Sequence, residues 1–432
     1  MIINNKKLHL SFLQKALLFT MLIEAQFFYI FPLPKFFWLG NNPNNKSYII
    51  LILYFVIIML LIANKFKIRL TKYFSFVRPY LIIQVLIAVI LIIRSKLLYD
   101  QSWFDMTQCA DYLFMPLTAI AFLIAFKNEI DYRKMMYVLF WVILICQIVI
   151  FVQGIVIRTT GVTFCFGMRE TGEIAIRAGM VRSARNCLNF IGIGYSINCL
   201  INRINRNESY ISKRLNILMF ALSIFNLLFF NGYRTIILST FAMMLVIVIF
   251  SKKFAIPKKT LVLIFVMLLL FGFGVYDSII DFFSLDGKLA GSTLVRIGAA
   301  IFFWNRFIEN PIFGFGMVRP YTDETWQLFG GDRIYAVTDA GIIGLLSEVG
   351  LLGFFTYFVL FGRGLYIVTK LKDNRERSFL IGILVYILAS SPALIITNIS
   401  RCFAIPVCMA IFESVYYRHK AKQNEEIYEN RA

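Results

Sequence analysis

Long uninterrupted apolar runs constrain this chain more than any other feature. Two examples are residues 47–63 and 235–250. Within a bilayer every backbone amide needs an internal partner, so only helices or a closed barrel can span it. Barrel strands would be about ten residues of alternating polarity, whereas these runs approach the roughly 20 residues that a spanning helix needs. The sequence therefore predicts an all-α, polytopic transmembrane helix bundle.

The composition agrees with this prediction. Hydrophobic residues make up 59% of the 432 residues and charged residues only 16%, against roughly 25% charged residues in an average soluble domain. We predict twelve spans in a single integral membrane domain, 1–432. The spans are 11–31, 47–63, 79–93, 109–126, 135–157, 187–201, 215–231, 235–250, 260–276, 339–361, 378–397 and 402–417.

The distribution of basic residues predicts the orientation. An even number of spans puts both termini on one side, and the loops on that side carry 27 Lys and Arg against 16 on the other. Short basic loops face the cytoplasm, so both termini are predicted to be cytoplasmic. Two long loops then face outward, the first over 158–186 and the second over 277–338.

The outer loops use arginine rather than lysine. Twelve of the 16 outer basic residues are Arg, against 11 of the 27 inner ones. A guanidinium group can hold a phosphate with two hydrogen bonds, whereas lysine is a hydrated point charge. The pattern favours recognition of an anionic ligand, such as a diphosphate, and ordinary contact with lipid headgroups is the alternative. The first outer loop supplies Arg158, Arg169, Arg177, Arg182 and Arg185.

Arg234 lies in a predicted tight outer turn between two apolar spans. An arginine at the membrane surface is costly unless it has a partner or extends toward water. We therefore consider Arg234 a candidate ligand contact, with simple extension to the interface as the alternative.

The second outer loop contains an amphipathic pattern. Apolar spacing over 297–308 predicts a helix at the membrane interface, preceded by Arg296 and ended by Asn310 and Pro311. Gly314 and Gly316 then allow tight backbone turns. The predicted substrate contacts in the two outer loops are Arg169, Arg177, Arg182, Arg185, Arg306, Asn310, Gly314, Gly316 and Arg319.

Asp339 stands where the chain is predicted to re-enter the bilayer, and Glu348 lies about two and a half turns deeper. A partly desolvated carboxylate has the raised pKa that a general base requires. The alternative for Asp339 is that it caps the N-terminus of the following helix.

These motifs together resemble the O-antigen polymerase/ligase superfamily, a group of membrane glycosyltransferases. Gly232-Tyr233-Arg234-Thr235 is similar to the short Ser/Gly-x-Arg-Thr turn of that family. Residues 296–316 resemble its Arg…Trp…Asn-Pro…Gly-x-Gly segment, and 339–353 resemble its span with Glu-x-Gly-hydrophobic-hydrophobic-Gly. The resemblance covers about 231–360, and earlier residues are similar only in hydropathy.

The resemblance implies a GT-C-like bundle in the bacterial cytoplasmic membrane and a metal-independent reaction without a cofactor. The implied donor is an undecaprenyl-diphosphate-linked oligosaccharide, whose glycan is transferred onto an acceptor sugar hydroxyl at the outer face. Arg234 and Arg296 would contact the diphosphate, and Asp339 would be the base. The implied partners are membrane lipid and the chain-length regulator and flippase of the same pathway, without nucleic acid.

The residue at position 339 distinguishes the subclasses within this resemblance. The ligases carry a catalytic histidine there, whereas the two histidines of this chain are His9 and His419, near its ends. The chain therefore looks more like a polysaccharide repeat-unit polymerase, for O-antigen, capsule or exopolysaccharide. An O-antigen ligase with another base and a lipid-linked oligosaccharide flippase are the alternatives.

Overall fold

A computed structural model describes most of the chain. The described residues are 2–3, 6–7, 9–31, 34, 46–63, 75–166, 175–177, 180–182, 186–204, 206–230, 234–251, 290–319, 323–331, 335–371, 374–393, 396–397 and 401–429. The predicted span 260–276 lies outside these residues, as do parts of both long outer loops.

The described residues fold almost entirely into helices, which confirms the all-α prediction. The α-helices are α1 (Phe12–Glu24), α2 (Lys46–Ala63), α3 (Val77–Tyr99), α4 (Trp103–Cys109), α5 (Asp111–Phe114), α6 (Ala119–Ala125), α7 (Glu129–Thr160), α8 (Asn189–Ile201), α9 (Arg206–Ser209), α10 (Lys213–Phe229), α11 (Arg234–Phe250), α12 (Ala290–Glu309), α13 (Asp323–Gln327), α14 (Gly341–Lys370), α15 (Arg377–Ser390) and α16 (Ala404–Glu429). Short 3-10 helices cover Gln26–Tyr29, Met115–Thr118 and Val337–Asp339. In the same part of the chain, strands occur only as two short antiparallel ribbons, β1–β2 (Ile2–Ile3 and Lys6–Lys7) and β3–β4 (Ala175–Arg177 and Met180–Arg182).

Three of these helices are long and apolar enough to cross a membrane, namely α3, α7 and α14. A fourth span is formed if α4 and the helical residues 111–125, which meet at a bend of 64°, are counted together. Shorter apolar helices occupy Ile50–Ala63, Asn189–Ile201, Thr235–Phe250 and Arg377–Ser390. The apolar helices are those of a membrane protein, whereas the count of twelve spans stays a prediction.

Local sequence signals set the bounds of the longest helix, α7. The side chain of Asn128 accepts a hydrogen bond from the amide of Asp131 and caps the N-terminus. Gly161, with φ of 73°, ends the helix in the left-handed conformation that glycine adopts without strain. With 32 residues, α7 extends to about 48 Å, well beyond the hydrocarbon core. It therefore carries the chain out to the start of the first long loop.

Charged residues join several loops at one end of the bundle. The guanidinium group of Arg418 donates to Glu129 at 2.6 Å and to Glu376 at 2.8 Å, and it lies 3.7 Å from the ring centroid of Tyr132. Residues distant in sequence thus meet at the end that the charge pattern assigns to the cytoplasm. Which end faces the cytoplasm stays a prediction.

A buried glutamine side chain connects the end of α7 to the start of the first long loop. The side chain of Gln153 accepts hydrogen bonds from the backbone amides of Phe164 and Cys165. Burial raises the pKa of the Cys165 thiol to about 11, so the thiol stays protonated at neutral pH. Beyond it the β3–β4 ribbon packs against α7, with Val181 buried.

The interfacial helix predicted in the second loop corresponds to α12, which ends at Glu309. One face, with Ala299 and Phe303, is fully buried. The opposite face carries an exposed apolar stripe at helical spacing, formed by Ile297, Ile301, Trp304 and Ile308. This amphipathic arrangement fits a helix whose outer face lies against lipid.

Candidate functional site

The centre of the candidate site is a break in α14 at Gly350. This residue has φ of 62° and ψ of −170°, a conformation open essentially to glycine alone. The break removes helical hydrogen bonds, so the backbone groups on either side of it need other partners. A continuous apolar helix at this position would have no such need.

A loop segment from the second outer loop supplies those partners. We call residues 310–319 the docked segment. The amides of Phe315 and Gly316 donate to the carbonyls of Ser347 and Glu348 at 2.8 and 2.9 Å. In return, Leu351 and Leu352 donate to the carbonyls of Pro311 and Ile312 at 2.8 and 3.0 Å. Two of the sequence motifs, which are more than 30 residues apart, therefore form one hydrogen-bonded unit.

Two predicted site glycines make this close approach possible. Gly314 has φ of 66°, and a Cβ atom there would lie 2.5 Å from the carbonyl oxygens of Ser347 and Glu348. Gly316 has φ of 105°, and a Cβ atom there would collide with the hydroxyl of Ser95. Their observed role is to fit the docked segment between α14 and α3, and substrate contact by these glycines stays a prediction.

Helix α3 holds the docked segment from the other side. Arg94 donates to the carbonyl of Gly314 at 2.7 Å and to the side chain of Asn310 at 3.3 Å. Tyr99 donates to the carbonyl of Phe315 at 2.8 Å. Sequence reasoning missed these α3 residues, although an arginine inside an apolar run is a recognisable signal.

The predicted contact residue Arg319 lies at the end of the docked segment. Its guanidinium group forms a salt bridge with Asp105 at 3.2 Å, and its backbone amide donates to the side chain of Gln101 at 2.9 Å. Nearby, a hydrogen bond from Lys96 lowers the pKa of Asp100, which favours the charged form of this carboxylate at the C-terminal end of α3.

A second broken helix meets α14 beside its break. Tyr112, directly after the 64° bend between α4 and the residues that follow, donates to a carboxylate oxygen of Glu348 at 2.9 Å. Asp111 and Cys109 lie within electrostatic range of the Tyr112 hydroxyl. Broken helices that carry ionisable groups are typical of binding sites inside membranes.

The Tyr112–Glu348 contact gives a stability prediction. We expect Tyr112→Phe to lower the free energy of unfolding by about 1–3 kcal/mol, because it removes the donor to a buried carboxyl group. Thermal unfolding of the detergent-purified protein measures this loss. Tyr137→Phe, at a ring that packs edge-on against Trp141, is the control. Equal melting temperatures for both variants would contradict the assigned role.

Arg306 is engaged in local contacts. Its guanidinium group pairs with Glu309 at 2.9 Å, donates to the carbonyl of Gln327 at 3.0 Å and lies over the ring of Phe302. These contacts tie α12 to the end of α13. A further contact of Arg306 with substrate stays a prediction.

Arg296 and Asp339 lie beside the same small core. Arg296 precedes the buried Ala299 and Phe303 by three and seven residues, so the three share one face of α12. Ala299 and Phe303 pack with Ala340, the neighbour of Asp339, in a cluster separate from the main core. Helix α12 also contacts the 3-10 helix Val337–Asp339 directly.

The alternative role of Asp339 as a helix cap is wrong. The N-cap of α14 is Ala340, and no side chain caps this end. Glycine at 341, with φ of 55°, starts the helix, and Ile342 donates its amide to the carbonyl of Ser391 at 3.0 Å. Within the described part of the chain, the half-buried Asp339 makes no side-chain hydrogen bond or ion pair.

Arg234 is the first residue of α11, which packs along α15. The two helices are antiparallel, because Arg377 lies over the Phe250 ring and Gly382 abuts Ile247. Ile247 is 13 residues from Arg234, which corresponds to about 20 Å along α11. Gly382 lies beside Ile247, and the same distance counted from Gly382 toward the C-terminal end of α15 leads to about one turn beyond Ser391. The backbone of Arg234 therefore lies at the end of the bundle where α14 begins.

Little of the Arg-rich first loop lies in the described part of the chain. The register of the ribbon places Arg177 opposite Met180 and Arg182 opposite Ala175. Arg169 and Arg185 lie outside the described residues. Throughout the described ranges, no group of three or more His, Cys, Asp and Glu side chains could hold a metal ion.

No protein-family model matches this chain, and no curated protein matches it. The likeness to the O-antigen polymerase/ligase superfamily therefore rests on the motifs quoted above.

Proposed function

We propose that the protein is a polysaccharide repeat-unit polymerase of the bacterial cytoplasmic membrane, with both termini in the cytoplasm. It transfers a glycan from undecaprenyl diphosphate to an acceptor sugar hydroxyl at the outer face. One observation carries the proposal: three separate motifs converge on one end of the bundle. The helix of Arg296 contacts the turn of Asp339, the residues after Asp339 bond to the outer turn of α15, and Arg234 begins the helix along α15.

Each residue has a chemical task in this proposal. Attack of an acceptor hydroxyl on the anomeric carbon forms the new glycosidic bond and breaks the bond to the lipid diphosphate. Asp339 accepts the hydroxyl proton. Arg234 and Arg296 stabilise the negative charge that develops on the leaving diphosphate. The chain-length regulator and flippase of the pathway would act beside this step.

The docked segment supports the same task by its position. It directly follows the helix of Arg296 and is hydrogen-bonded to the break in α14, the helix that begins just after Asp339, so the two helices are held by one hydrogen-bonded unit. Holding two reactants in line contributes a large part of an enzymatic rate. A loop tied to a helix break provides a fixed frame for such alignment.

An assay with the purified protein and one defined undecaprenyl-diphosphate-linked repeat unit tests the proposal. We expect the wild-type protein to form a ladder of products, and Arg234→Ala or Arg296→Ala to lower the rate by at least about 100-fold, the typical loss when one charge-stabilising donor is removed. Arg78→Ala, an exposed arginine at the other end of α3, is the matched control.

Long polymer made by both site variants at the wild-type rate would refute the proposal. A ligase would instead transfer finished chains to an acceptor and yield no ladder from single repeat units. Cells that lack the protein would then accumulate lipid-linked polymer rather than single repeats.

A flippase is a second candidate, favoured by the meeting of two broken helices at the buried Tyr112–Glu348 pair. Discontinuous helices form the binding sites of many transporters. In cells that lack a flippase, single repeat units would be trapped at the cytoplasmic face. In cells that lack a polymerase, they would accumulate at the outer face, and a topology-sensitive label on the repeat unit separates the two outcomes.

A further inference from the structure

A second site lies in an apolar groove that the motifs above do not include. Helices α14, α15 and α16 line a groove that is open on one side, and its volume with that open space included is about 630 Å³. Its walls are almost wholly hydrocarbon, with Ile387, Ile396, Ile405, Met409 and Phe412 among them. Apolar walls forfeit packing contacts where no neighbour fills the space between them, and the helices around the groove are those of a membrane protein. A hydrocarbon chain is the matching occupant.

An ion pair lines the groove toward the predicted cytoplasmic side. Arg363 and Glu413 line it there and form two hydrogen bonds of 2.8 Å with each other. The guanidinium group is also enclosed by the rings of Phe76, Tyr366 and Tyr416, at 4.8–5.2 Å from their centroids. Because these charges neutralise each other, this end does not attract a charged lipid headgroup.

The opposite end lies beside the candidate site. Ile396 and Ile405 line the groove there, and Arg401 stands between them in the chain. Arg401 interacts electrostatically with Tyr386 and with Cys187, which directly follows the first outer loop, and burial lowers its pKa. An arginine pKa lies so high that the group keeps its charge. The hydroxyl of Ser391, close by, is 3.1 Å from that of Tyr357 in the groove wall.

We propose that this groove binds the polyprenyl chain of the lipid-linked donor, with its diphosphate beside Arg401. The identity of the occupant rests on the proposed function. The groove extends over eight residues of α16 from Ile405 to Glu413, about 12 Å, so it holds part of one long chain. It leads from the Arg363–Glu413 pair to the Ser391 turn, which bonds to the residues following Asp339. A lipid seated this way presents its diphosphate to the cationic outer end of the bundle.

Neighbouring residues of α15 provide a matched test. Ile387 lines the groove, whereas Leu388 is 58% exposed on the outside of the bundle. We expect Ile387→Trp to weaken binding of undecaprenyl diphosphate about tenfold, or about 1.4 kcal/mol, because the indole fills the space of the chain. Leu388→Trp should bind as the wild-type protein does. Native mass spectrometry of the full chain in detergent measures both.

Further measurements distinguish binding of the polyprenyl chain from binding of its diphosphate headgroup. Inorganic diphosphate should bind equally to wild type and Ile387→Trp, whereas Arg401→Ala should weaken both ligands and Arg401→Lys should recover part of the loss. Unchanged binding of undecaprenyl diphosphate by Ile387→Trp would overturn the proposal. So would a phospholipid that occupies the groove and is not displaced by undecaprenyl diphosphate.

Labelling of the wild-type protein does not depend on the folding of a variant. A prenyl diphosphate with a photoreactive chain should label peptides of α15 and α16, and labelling confined to other helices would refute the groove. Labelling of the groove without ladder formation in the polymerase assay would reject only the proposed function. Ladder formation without labelling of the groove would reject only this inference.

Discussion

Gly350→Ala is expected to cause the largest loss of stability among single substitutions at the site. The backbone conformation at Gly350 is strained for any residue with a side chain, and a Cβ atom there would collide with the carbonyl of Ile312. The helix and the docked segment would have to separate, which breaks up to four backbone hydrogen bonds between them. We expect a loss of about 3–5 kcal/mol, at the upper end of single-substitution effects.

The same helix contains a matched control at Gly362. It lies in regular helix, and a Cβ atom there would meet nothing within 4 Å. We expect Gly362→Ala to be neutral or slightly stabilising, since alanine favours the helix over glycine. Thermal unfolding compares the two variants, and hydrogen exchange of the amides of Phe315 and Gly316 reports on the docked segment. Equal unfolding temperatures with unchanged exchange would show that the break is not required.

Arg363→Met is expected to have the second large effect. The substitution leaves the carboxylate of Glu413, whose side chain is 3% exposed, without its cation in an apolar surrounding. Breaking a buried pair on one side costs about 3–5 kcal/mol because it leaves a buried charge uncompensated. We expect Glu413→Leu alone to be similarly destabilising. Thermal unfolding of each single variant in detergent measures these losses.

The double variant Arg363→Met/Glu413→Leu separates pairing from packing. Replacing a buried pair by apolar residues of similar volume is often neutral or stabilising. We therefore expect it to recover most of the stability that either single variant loses. If the stability losses of the two single variants simply add in the double variant, the two residues stabilise the fold independently, by packing against the rings and the groove wall, rather than by pairing with each other.

Several features of the fold could be predicted from local sequence. The apolar runs predict helices because the bilayer leaves backbone groups no other partners. The amphipathic helix α12 and its end at Glu309 follow from apolar periodicity and from Asn310 and Pro311. Asn128 and Gly161 similarly set the bounds of α7. Each of these features depends on neighbours within a few residues.

The break in α14 could not be predicted in this way. Gly350 lies in a largely apolar stretch that also contains Gly344, Gly353, Gly362 and Gly364. Only Gly350 among these five has a positive φ. The difference arises because residues 311–316, more than 30 residues away in the chain, form hydrogen bonds with the backbone of α14 on either side of Gly350.

The candidate site was predictable only in part for the same reason. The motif residues Asn310, Gly314 and Gly316 could be recognised in sequence, but Arg94, which donates to the first two of them, is more than 200 residues away. The alternative role of Asp339 as a helix cap was wrong because the chain there bonds instead to the turn after α15. Contacts between distant segments decide which of several plausible local roles a residue has.

Hydropathy and charge are properties of the residues themselves, so the order of residues was enough to predict apolar helices and two long loops rich in arginine. The positions at which two helices break, and the loop that satisfies the exposed backbone groups, became apparent only from the folded arrangement. The folded arrangement also decided that Arg363 and Glu413 meet at one end of an apolar groove. These outcomes depend on the free energy of burying polar groups next to suitable partners. That free energy is set by residues that are distant in the sequence and become neighbours only in the fold.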